Sequence, residues 1–176
     1  MAALSARPLD RLVRHGVPLL TVLGAVALDL LPLPDASPAA VAPAFAVAAV
    51  YYWSLHRPDL MGPVPVACAG LVQDLVAGTP LGLSSLVLLF VHALAGSAEA
   101  IGRMRSPLLA WATFLLVATA ALGLRWVALS LWSFHLFPLR PALFELALTV
   151  VVYPLPAGLL SLLDSRIAAT PHAPGL

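Results

Sequence analysis

Long apolar runs follow one another along nearly the whole chain, and short stretches of proline, glycine and charged residues separate them. An α-helix of about 20 apolar residues crosses the roughly 30 Å of hydrocarbon in a bilayer. We therefore expect an all-α integral membrane protein in which six transmembrane helices form one compact bundle. Its single membrane domain covers residues 1–165, and a short tail covers residues 166–176. The six spans are predicted at about residues 16–33, 39–55, 63–78, 82–102, 107–131 and 142–163.

Only the segment Gly-Thr-Pro-Leu-Gly, residues 78–82, separates the third and fourth predicted spans. Gly78 can adopt the left-handed conformation that ends many helices, and Pro80 cannot continue one. This segment predicts a tight helical hairpin. Two sets of small residues at helical spacing favour close packing, and we expect them to face each other: Ala67, Gly70, Asp74 and Ala77 in the third span, and Ala93, Gly96, Ser97 and Ala100 in the fourth.

The distribution of arginines predicts the orientation in the membrane, because basic residues in short loops remain on the cytoplasmic side. With six spans, Arg140 alone falls on the side opposite the N-terminus, and Arg125 lies within the fifth span. Both termini are therefore predicted to be cytoplasmic. An arrangement with five spans and a re-entrant third segment would divide the arginines evenly, so the charges favour six. The arginines on the N-terminal side are Arg7, Arg11, Arg14, Arg57, Arg103, Arg105 and Arg166.

The N-terminal arginines followed by an apolar run also resemble a signal peptide, with Ser-Pro-Ala-Ala-Val-Ala at residues 37–42 as a cleavage region. Asp29 interrupts the apolar run, and the basic flank equally fits an ordinary membrane anchor. We therefore expect an uncleaved first span.

Four ionisable residues, Asp29, Asp74, Arg125 and Glu145, fall within or at the edges of predicted spans, all in the outer half of the membrane by this orientation. An aspartate or arginine at the centre of a lone helix costs about 2.5–3.5 kcal/mol, so such groups normally face the bundle interior. We expect Arg125 to pair with one or more of the carboxylates. Such a network either holds the helices together or lines a polar cavity that binds a ligand.

Two prolines, Pro154 and Pro156, lie close to the middle of the sixth predicted span. Each removes a backbone hydrogen-bond donor, so this span is predicted to kink or to unwind locally.

The composition argues against several other classes of protein. Hydrophobic residues make up 61% of the chain and charged residues 10%, and the net charge of +1 supplies no basic surface for nucleic acid. Cys68 is the only cysteine, and no metal-binding or nucleotide-binding motif occurs. Ser84 and Ser85 imitate the nucleophile of an intramembrane protease, but His92 lies about 12 Å further along the same helix. We expect neither catalysis, nor a cofactor, nor a bound metal.

Two segments carry a family resemblance. Tyr-Tyr-Trp-Ser-Leu-His-Arg-Pro-Asp-Leu at residues 51–60, followed by the segment at 70–89 that contains G-x-x-x-D-L-x-x-G and the Pro-Leu-Gly turn, resembles the rod shape-determining protein MreD family. A proline near the middle of the last span also fits the family. The residues that match its motif are Trp53, Arg57, Pro58, Gly70, Asp74, Gly78, Pro80, Leu81 and Gly82.

The resemblance implies a non-catalytic, multi-pass component of the bacterial inner membrane that acts in synthesis of the lateral cell wall. The partners that it implies are MreC, the MreB filament machinery, and the RodA glycosyltransferase with its penicillin-binding transpeptidase, beside membrane lipids and a homo-oligomer within the complex. The family is also similar in its six-helix layout to the substrate-binding subunits of energy-coupling-factor transporters. That similarity keeps a second interpretation open, a small-molecule or lipid-binding membrane subunit.

Overall fold

The computed structural model describes residues 6–31, 42–101 and 107–168, and within these ranges every regular element is an α-helix. Residues 169–176 of the predicted tail lie outside them, as do Arg103 and Arg105. The helices in the described ranges are α1 (Ala6–Asp29), α2 (Phe45–His56), α3 (Pro63–Ala77), α4 (Leu83–Ile101), α5 (Pro107–Trp132), α6 (Leu139–Val152) and α7 (Pro154–Ala168).

The part of the chain that the structure describes therefore holds seven helices, where the apolar pattern predicts six spans. Each of the first five predicted spans overlaps one helix, although α1 begins at Ala6 and not near residue 16, and α2 begins at Phe45 and not near residue 39. The sixth predicted span is divided into α6 and α7, whose axes differ by 43°. By length and apolar composition, α5 can cross a membrane, and α6 with α7 adds a second crossing if the bent pair is one span. The apolar parts of α1, α3 and α4 are shorter. The count of six spans remains a prediction.

Helix α2 lies at the centre of the bundle. All residues from Ala46 to Leu55 are buried, and the helix is apolar on every side, as expected for a helix surrounded by others. It contacts α1, α4, α5 and α7. The core is therefore built around α2, and the side chains of this helix contact neighbouring helices on all sides.

Helices α3 and α4 form the predicted hairpin, and their closest approach is at Gly70. A Cβ atom at this position would lie 2.4 Å from Ser85 Cα, so the α4 backbone occupies the space of a side chain. Ser85 Oγ also donates a hydrogen bond to the Ala67 carbonyl at 2.9 Å. Glycine at position 70 is thus required by the contact between the two backbones.

The expected pairing of the two sets of small residues is wrong for α4. Ala93 and Ser97 are exposed, and a Cβ atom on Gly96 would meet nothing within 4 Å. The side chain of Ala100 lies outside the described part. Helix α3 has 15 residues and α4 has 19, and Gly70 already faces Ser85 near the start of α4. In an antiparallel pair with this register, the later residues of α4 extend past the first residue of α3.

Candidate functional site

The carboxylate of Asp74 closes the turn between α3 and α4. The residue is fully buried, although it lies only three positions before Ala77, the last residue of α3. Thr79 Oγ1 and the Gly82 N–H each donate to it at 2.8 Å, and the Ser84 N–H donates at 2.9 Å. Asp74 therefore supplies a negative charge and hydrogen-bond acceptors to the N-terminus of α4, where backbone donors have no partner within the helix.

Residues 78–82 have the backbone conformation that this turn requires. Gly78 ends α3 with a φ of +67°, and Gly82 precedes α4 with a φ of +94°, both in the left-handed region that favours glycine. Between them, the Pro80 carbonyl accepts a hydrogen bond from the Leu83 N–H at 3.1 Å, and Leu81 is exposed. Apart from the exposed Leu81, the motif residues from Gly70 to Gly82 thus have structural roles in one hairpin.

Asp29, the last residue of α1, performs a similar function for α2. Its carboxylate accepts hydrogen bonds from the N–H groups of Phe45 at 2.7 Å and Ala46 at 3.1 Å, in the first turn of α2. Gln73 Nε2 donates to the same carboxylate at 3.4 Å, which gives this polar residue of α3 a partner. The Ala44 N–H, just before α2, donates to Thr149 Oγ1 of α6 at 2.9 Å.

Helices α5 and α6 are joined by an ion pair. Arg125 Nη1 of α5 donates to Glu145 Oε1 of α6 at 2.9 Å, and the two side chains are 36% and 21% exposed. Of the three carboxylates considered for Arg125, the structure brings Glu145 to it. The carboxylates of Asp29 and Asp74 instead accept hydrogen bonds from backbone N–H groups at the N-termini of α2 and α4. We call this end of the bundle, with the last turns of α1 and α3 and the first turns of α2 and α4, the polar end.

A small cavity lies at the polar end, between Asp29 and Arg125. Its volume is about 20 Å³, enough for one water molecule. Within the described ranges, no three His, Cys, Asp or Glu side chains come together as they would around a metal ion. The residues that line the cavity are Asp29, Ala44, Val47, Gln73, Ser84, Val87, Leu88, Leu122 and Arg125.

The opposite end of α2 carries the first family segment, and its side chains bond to three different helices. Trp53 is fully buried and donates from Nε1 to Thr21 Oγ1 of α1 at 2.8 Å. Tyr51 donates from its hydroxyl to the Ala110 carbonyl of α5 at 3.0 Å. Arg57 Nε pairs with Asp164 Oδ1 of α7 at 3.0 Å. This segment therefore fixes the positions of three helices around α2.

Arg57 and Pro58 also form the turn that follows α2. The Leu60 N–H donates to the Arg57 carbonyl at 3.0 Å, which places Pro58 at the second position of a four-residue turn, where its fixed φ is favoured. The basic-proline pair thus has two roles, one in the turn and one in the contact with α7.

His92 of α4 bonds to Ser54, and not to Ser84 or Ser85, the two serines considered as protease nucleophiles. A hydrogen bond of 2.7 Å joins His92 Nδ1 to Ser54 Oγ, and Ser54 is fully buried. Ser84 and Ser85 instead contact the α3–α4 hairpin, through the Asp74 carboxylate and the Ala67 carbonyl. Ser54 was not foreseen from the sequence, because no spacing along the chain relates it to His92.

The last predicted span is interrupted at Tyr153, between α6 and α7. Pro154 begins α7 and Pro156 lies in its first turn, where a missing N–H removes no bond within that helix. In a continuous helix, the residue at position 154 would donate to the Val150 carbonyl. Trp111 Nε1 of α5 donates to that carbonyl instead, at 3.1 Å. A neighbouring helix therefore satisfies a backbone group that the proline leaves free.

An aromatic cluster packs Tyr153, the residue between α6 and α7, against α2 and α5. The ring of Tyr153 stacks on Phe114 with centroids 3.9 Å apart, and Tyr51 contacts both rings. Sequence reasoning missed Trp111 and Phe114. Pro154 implies that some donor must reach the Val150 carbonyl, but nothing in the sequence indicates which helix provides it.

In the described ranges, every regular element is a helix, and buried or half-buried acidic residues hold these apolar helices together. This is the architecture of a helical membrane protein. The chain belongs to the MreD family, because the model of that family, described as rod shape-determining protein MreD, matches residues 10–163. The family consists of membrane proteins with a role in determining rod shape. No match to the chain was found among curated proteins or among solved structures.

Proposed function

We propose that this protein is a non-catalytic scaffold of the machinery that elongates the cell wall, and that it binds MreC and the peptidoglycan synthase formed by RodA and its penicillin-binding transpeptidase. Membership of the MreD family carries the proposal. Through these partners the scaffold is coupled to the MreB filament machinery. Its role is to position other membrane proteins, which accounts for an effect on cell shape without chemistry of its own.

The hydrogen-bond partners of the intramembrane carboxylates support the role of a scaffold. Asp29, Asp74 and Glu145 all bond to groups of their own chain, so these charges maintain the bundle. Partners are then offered apolar helix surfaces, and binding arises from many van der Waals contacts. The large side chains that are more than 60% exposed on α5, α6 and α7 include Leu108, Leu116, Leu143, Val151, Leu155 and Leu162.

Co-purification tests the proposed interaction with MreC. The tagged chain is extracted from native membranes in a mild detergent, and we expect MreC to elute with it in a fixed ratio. An unrelated tagged multi-pass protein from the same membranes is the control. Recovery of the intact, monodisperse chain without MreC would contradict the proposed function.

The proposed topology places the chain in the inner membrane with six spans and both termini in the cytoplasm. It can be tested with cysteines introduced after Cys68→Ala, because Cys68 is otherwise exposed. Phe134→Cys, in the loop after α5 where Phe134 is 98% exposed, should react with an impermeant thiol reagent added outside the cell. Asp59→Cys, in the turn after α2, should react only after the cells are opened. Reaction of both from the same side would contradict six spans.

The second candidate function is the binding of a small molecule or lipid, for which the cavity between Asp29 and Arg125 is the candidate site. Its volume of about 20 Å³ is far below the roughly 300–1,000 Å³ of a typical ligand pocket. The cavity therefore supports the scaffold better. Thermal unfolding of the purified chain decides between the two: the scaffold predicts no rise in Tm with vitamins or lipid head groups, and a rise that saturates with concentration would favour the second function.

A further inference from the structure

The connection between α5 and α6 exposes apolar side chains without interruption. Every residue from Leu131 to Arg140 is exposed, and we call this segment the tip. Trp126 Nε1 donates to the Phe137 carbonyl at 3.2 Å, which holds the tip against α5. The ring of Phe134 is almost entirely exposed and packs on nothing in the described part of the chain. The large apolar residues of the tip are Leu131, Trp132, Phe134, Leu136, Phe137 and Leu139.

The backbone of the tip is strained at Phe134. Helix α5 ends in a Schellman motif, in which the His135 N–H donates to the Ser130 carbonyl at 3.2 Å. The Phe134 N–H donates to the Leu131 carbonyl at 3.3 Å, and Phe134 has a φ of +49°, at the position where glycine is usual. A bulky residue is strained in this conformation. Because no packing of the ring within the described part of the chain offsets the strain, we expect the ring to bind something outside it.

The tip extends beyond the polar end, to the depth of the lipid headgroups. From Arg57, which faces water in the proposed topology, α2 reaches Phe45 at the polar end over roughly 18 Å. Arg125 borders the cavity at that end, and α5 continues past it to Trp132 for roughly 10 Å. For helices that run along the bundle axis, these lengths together are close to the hydrocarbon thickness of about 30 Å. The tip therefore lies at the membrane–water interface, where Trp and other large apolar side chains are favoured.

The charge of the tip fits lipid phosphate. Between Arg125 and Glu145 the sequence contains no acidic residue, and with His135 neutral Arg140 is the only charged residue. Arg140 forms no ion pair within the ranges that the structure describes. A guanidinium group binds phosphate through paired N–H donors. Apolar side chains beside a cation are the combination found in segments that bind at the surface of phospholipid bilayers.

We propose that the tip is an interfacial anchor: its apolar side chains insert into the headgroup layer of the bilayer, and Arg140 binds lipid phosphate. In the proposed topology this is the outer leaflet. The anchor sets the height of α5 and α6 relative to the bilayer, and with it the depth of the Arg125–Glu145 pair. It requires no partner protein, so it goes beyond the proposed scaffold function.

Electron paramagnetic resonance measures the depth of the tip. The full chain with Cys68→Ala is spin-labelled at Leu136→Cys and placed in vesicles of phosphatidylethanolamine and phosphatidylglycerol. Collisions of the label with oxygen, which is concentrated in hydrocarbon, are compared with collisions with a neutral nickel chelate, which is concentrated in water. Labels at Leu116→Cys, exposed in the middle of α5, and at Asp59→Cys, exposed in the turn after α2, are the controls.

We expect both collision rates of the label at position 136 to fall between those at positions 116 and 59. Nickel collisions as frequent as at position 59 would place the tip in water, and oxygen collisions as frequent as at position 116 would place it deep in hydrocarbon. Either result would overturn the anchor. The measurement does not depend on which leaflet is involved, so its failure is distinct from a failure of the proposed topology or of MreC binding.

Variants of Phe134 test the exposed ring while the label stays at position 136. Phe134→Ala removes the ring and retains the strained Cβ, whereas Phe134→Gly removes both. We expect nickel collisions to rise towards the value at position 59 with either variant, and the glycine variant to unfold at a higher temperature than the alanine variant. Phe144→Ala, at an exposed phenylalanine of α6 outside the tip, is the control. A rise with Phe144→Ala as large as with Phe134→Ala, or no rise with either, would overturn the role of the ring.

Arg140→Glu tests the contact with phosphate, because it places a negative charge beside the headgroups. We expect nickel collisions at position 136 to increase, since repulsion moves the tip towards water. Arg140→Lys retains the positive charge and should keep the depth of the unmodified chain. Equal depths with glutamate and lysine at this position would show that Arg140 does not bind lipid phosphate.

Discussion

At the scale of single residues, the second family segment is explained by contacts within one hairpin. Gly70 is the point where two backbones meet, Asp74 accepts three hydrogen bonds from residues 79–84, and Gly78 and Gly82 adopt left-handed conformations. A substitution in the motif is therefore expected to reduce function through loss of the hairpin geometry.

Gly70→Ala should destabilise the chain, because its Cβ would overlap the backbone at Ser85 and the two helices would have to separate. We expect a loss of about 1–3 kcal/mol in the free energy of unfolding. Gly96→Ala in α4 is the control, since its Cβ meets open space and alanine favours the helix by up to about 1 kcal/mol. Thermal unfolding of the two purified variants measures the difference, and equal Tm values would contradict the close contact at Gly70.

Asp74→Asn should also destabilise the chain, because an amide offers one oxygen where the carboxylate offers two, and it loses the charge at the N-terminus of α4. The expected cost is about 1–3 kcal/mol. Asp59→Asn provides a control at an exposed position in the turn after α2. The measurement is again thermal unfolding; an Asp74→Asn variant as stable as Asp59→Asn would show that the buried carboxylate contributes little.

At the scale of helices, much of the layout could be predicted from the sequence, because apolar length and proline or glycine punctuation depend on neighbouring residues only. The hairpin turn at 78–82 is an example. A carboxylate partner for Arg125 could be predicted, and Glu145 was one of three candidates. The other polar contacts could not be predicted, because they depend on how the helices are arranged: Asp29 bonds to α2, Gln73 to Asp29, and Ser54 to His92. The pairing of Gly96 with α3 failed for the same reason, since register depends on where each helix begins.

The interruption between α6 and α7 allows a test of how one helix compensates for a proline in another. Trp111→Phe removes the donor to the Val150 carbonyl and should cost about 1–3 kcal/mol. Combining it with Pro154→Ala restores an N–H at the position that a continuous helix would use, so the double variant should recover most of that loss. Denaturation of the single and double variants in detergent gives the coupling energy; a double variant no more stable than Trp111→Phe alone would contradict this account.

At the scale of the whole molecule, two ion pairs hold opposite ends of the bundle. Arg57–Asp164 joins α2 to α7, and Arg125–Glu145 joins α5 to α6. Their side chains are exposed to a similar degree. In the proposed topology, however, the first pair faces water and the second faces lipid and the small cavity. The two ion pairs should therefore contribute differently to the free energy of unfolding, although their geometry is the same.

Asp164→Leu is expected to cost less than about 1 kcal/mol, as is usual for a hydrated pair. Glu145→Leu should cost more, up to about 2.5–3.5 kcal/mol, because Arg125 remains within its span without a counter-charge. Arg125→Leu combined with Glu145→Leu should restore much of the stability, since no lone charge is left. Unfolding measurements on the three variants check this order, and equal costs for the two single variants would argue against a lipid-facing Arg125.

The unequal lengths of the helices have a consequence for the surrounding lipids. Helix α3 has 15 residues and α5 has 26, which correspond to about 22 Å and 39 Å along their axes. Both helices expose leucines, so in a bilayer the acyl chains would contact a short apolar surface beside α3 and a longer one beside α5. In the proposed six-span topology, the bilayer is compressed beside α3, and beside α5 it is stretched or the helix is tilted. We therefore expect a gradient of bilayer thickness around the protein, which favours neighbours with short spans beside α3.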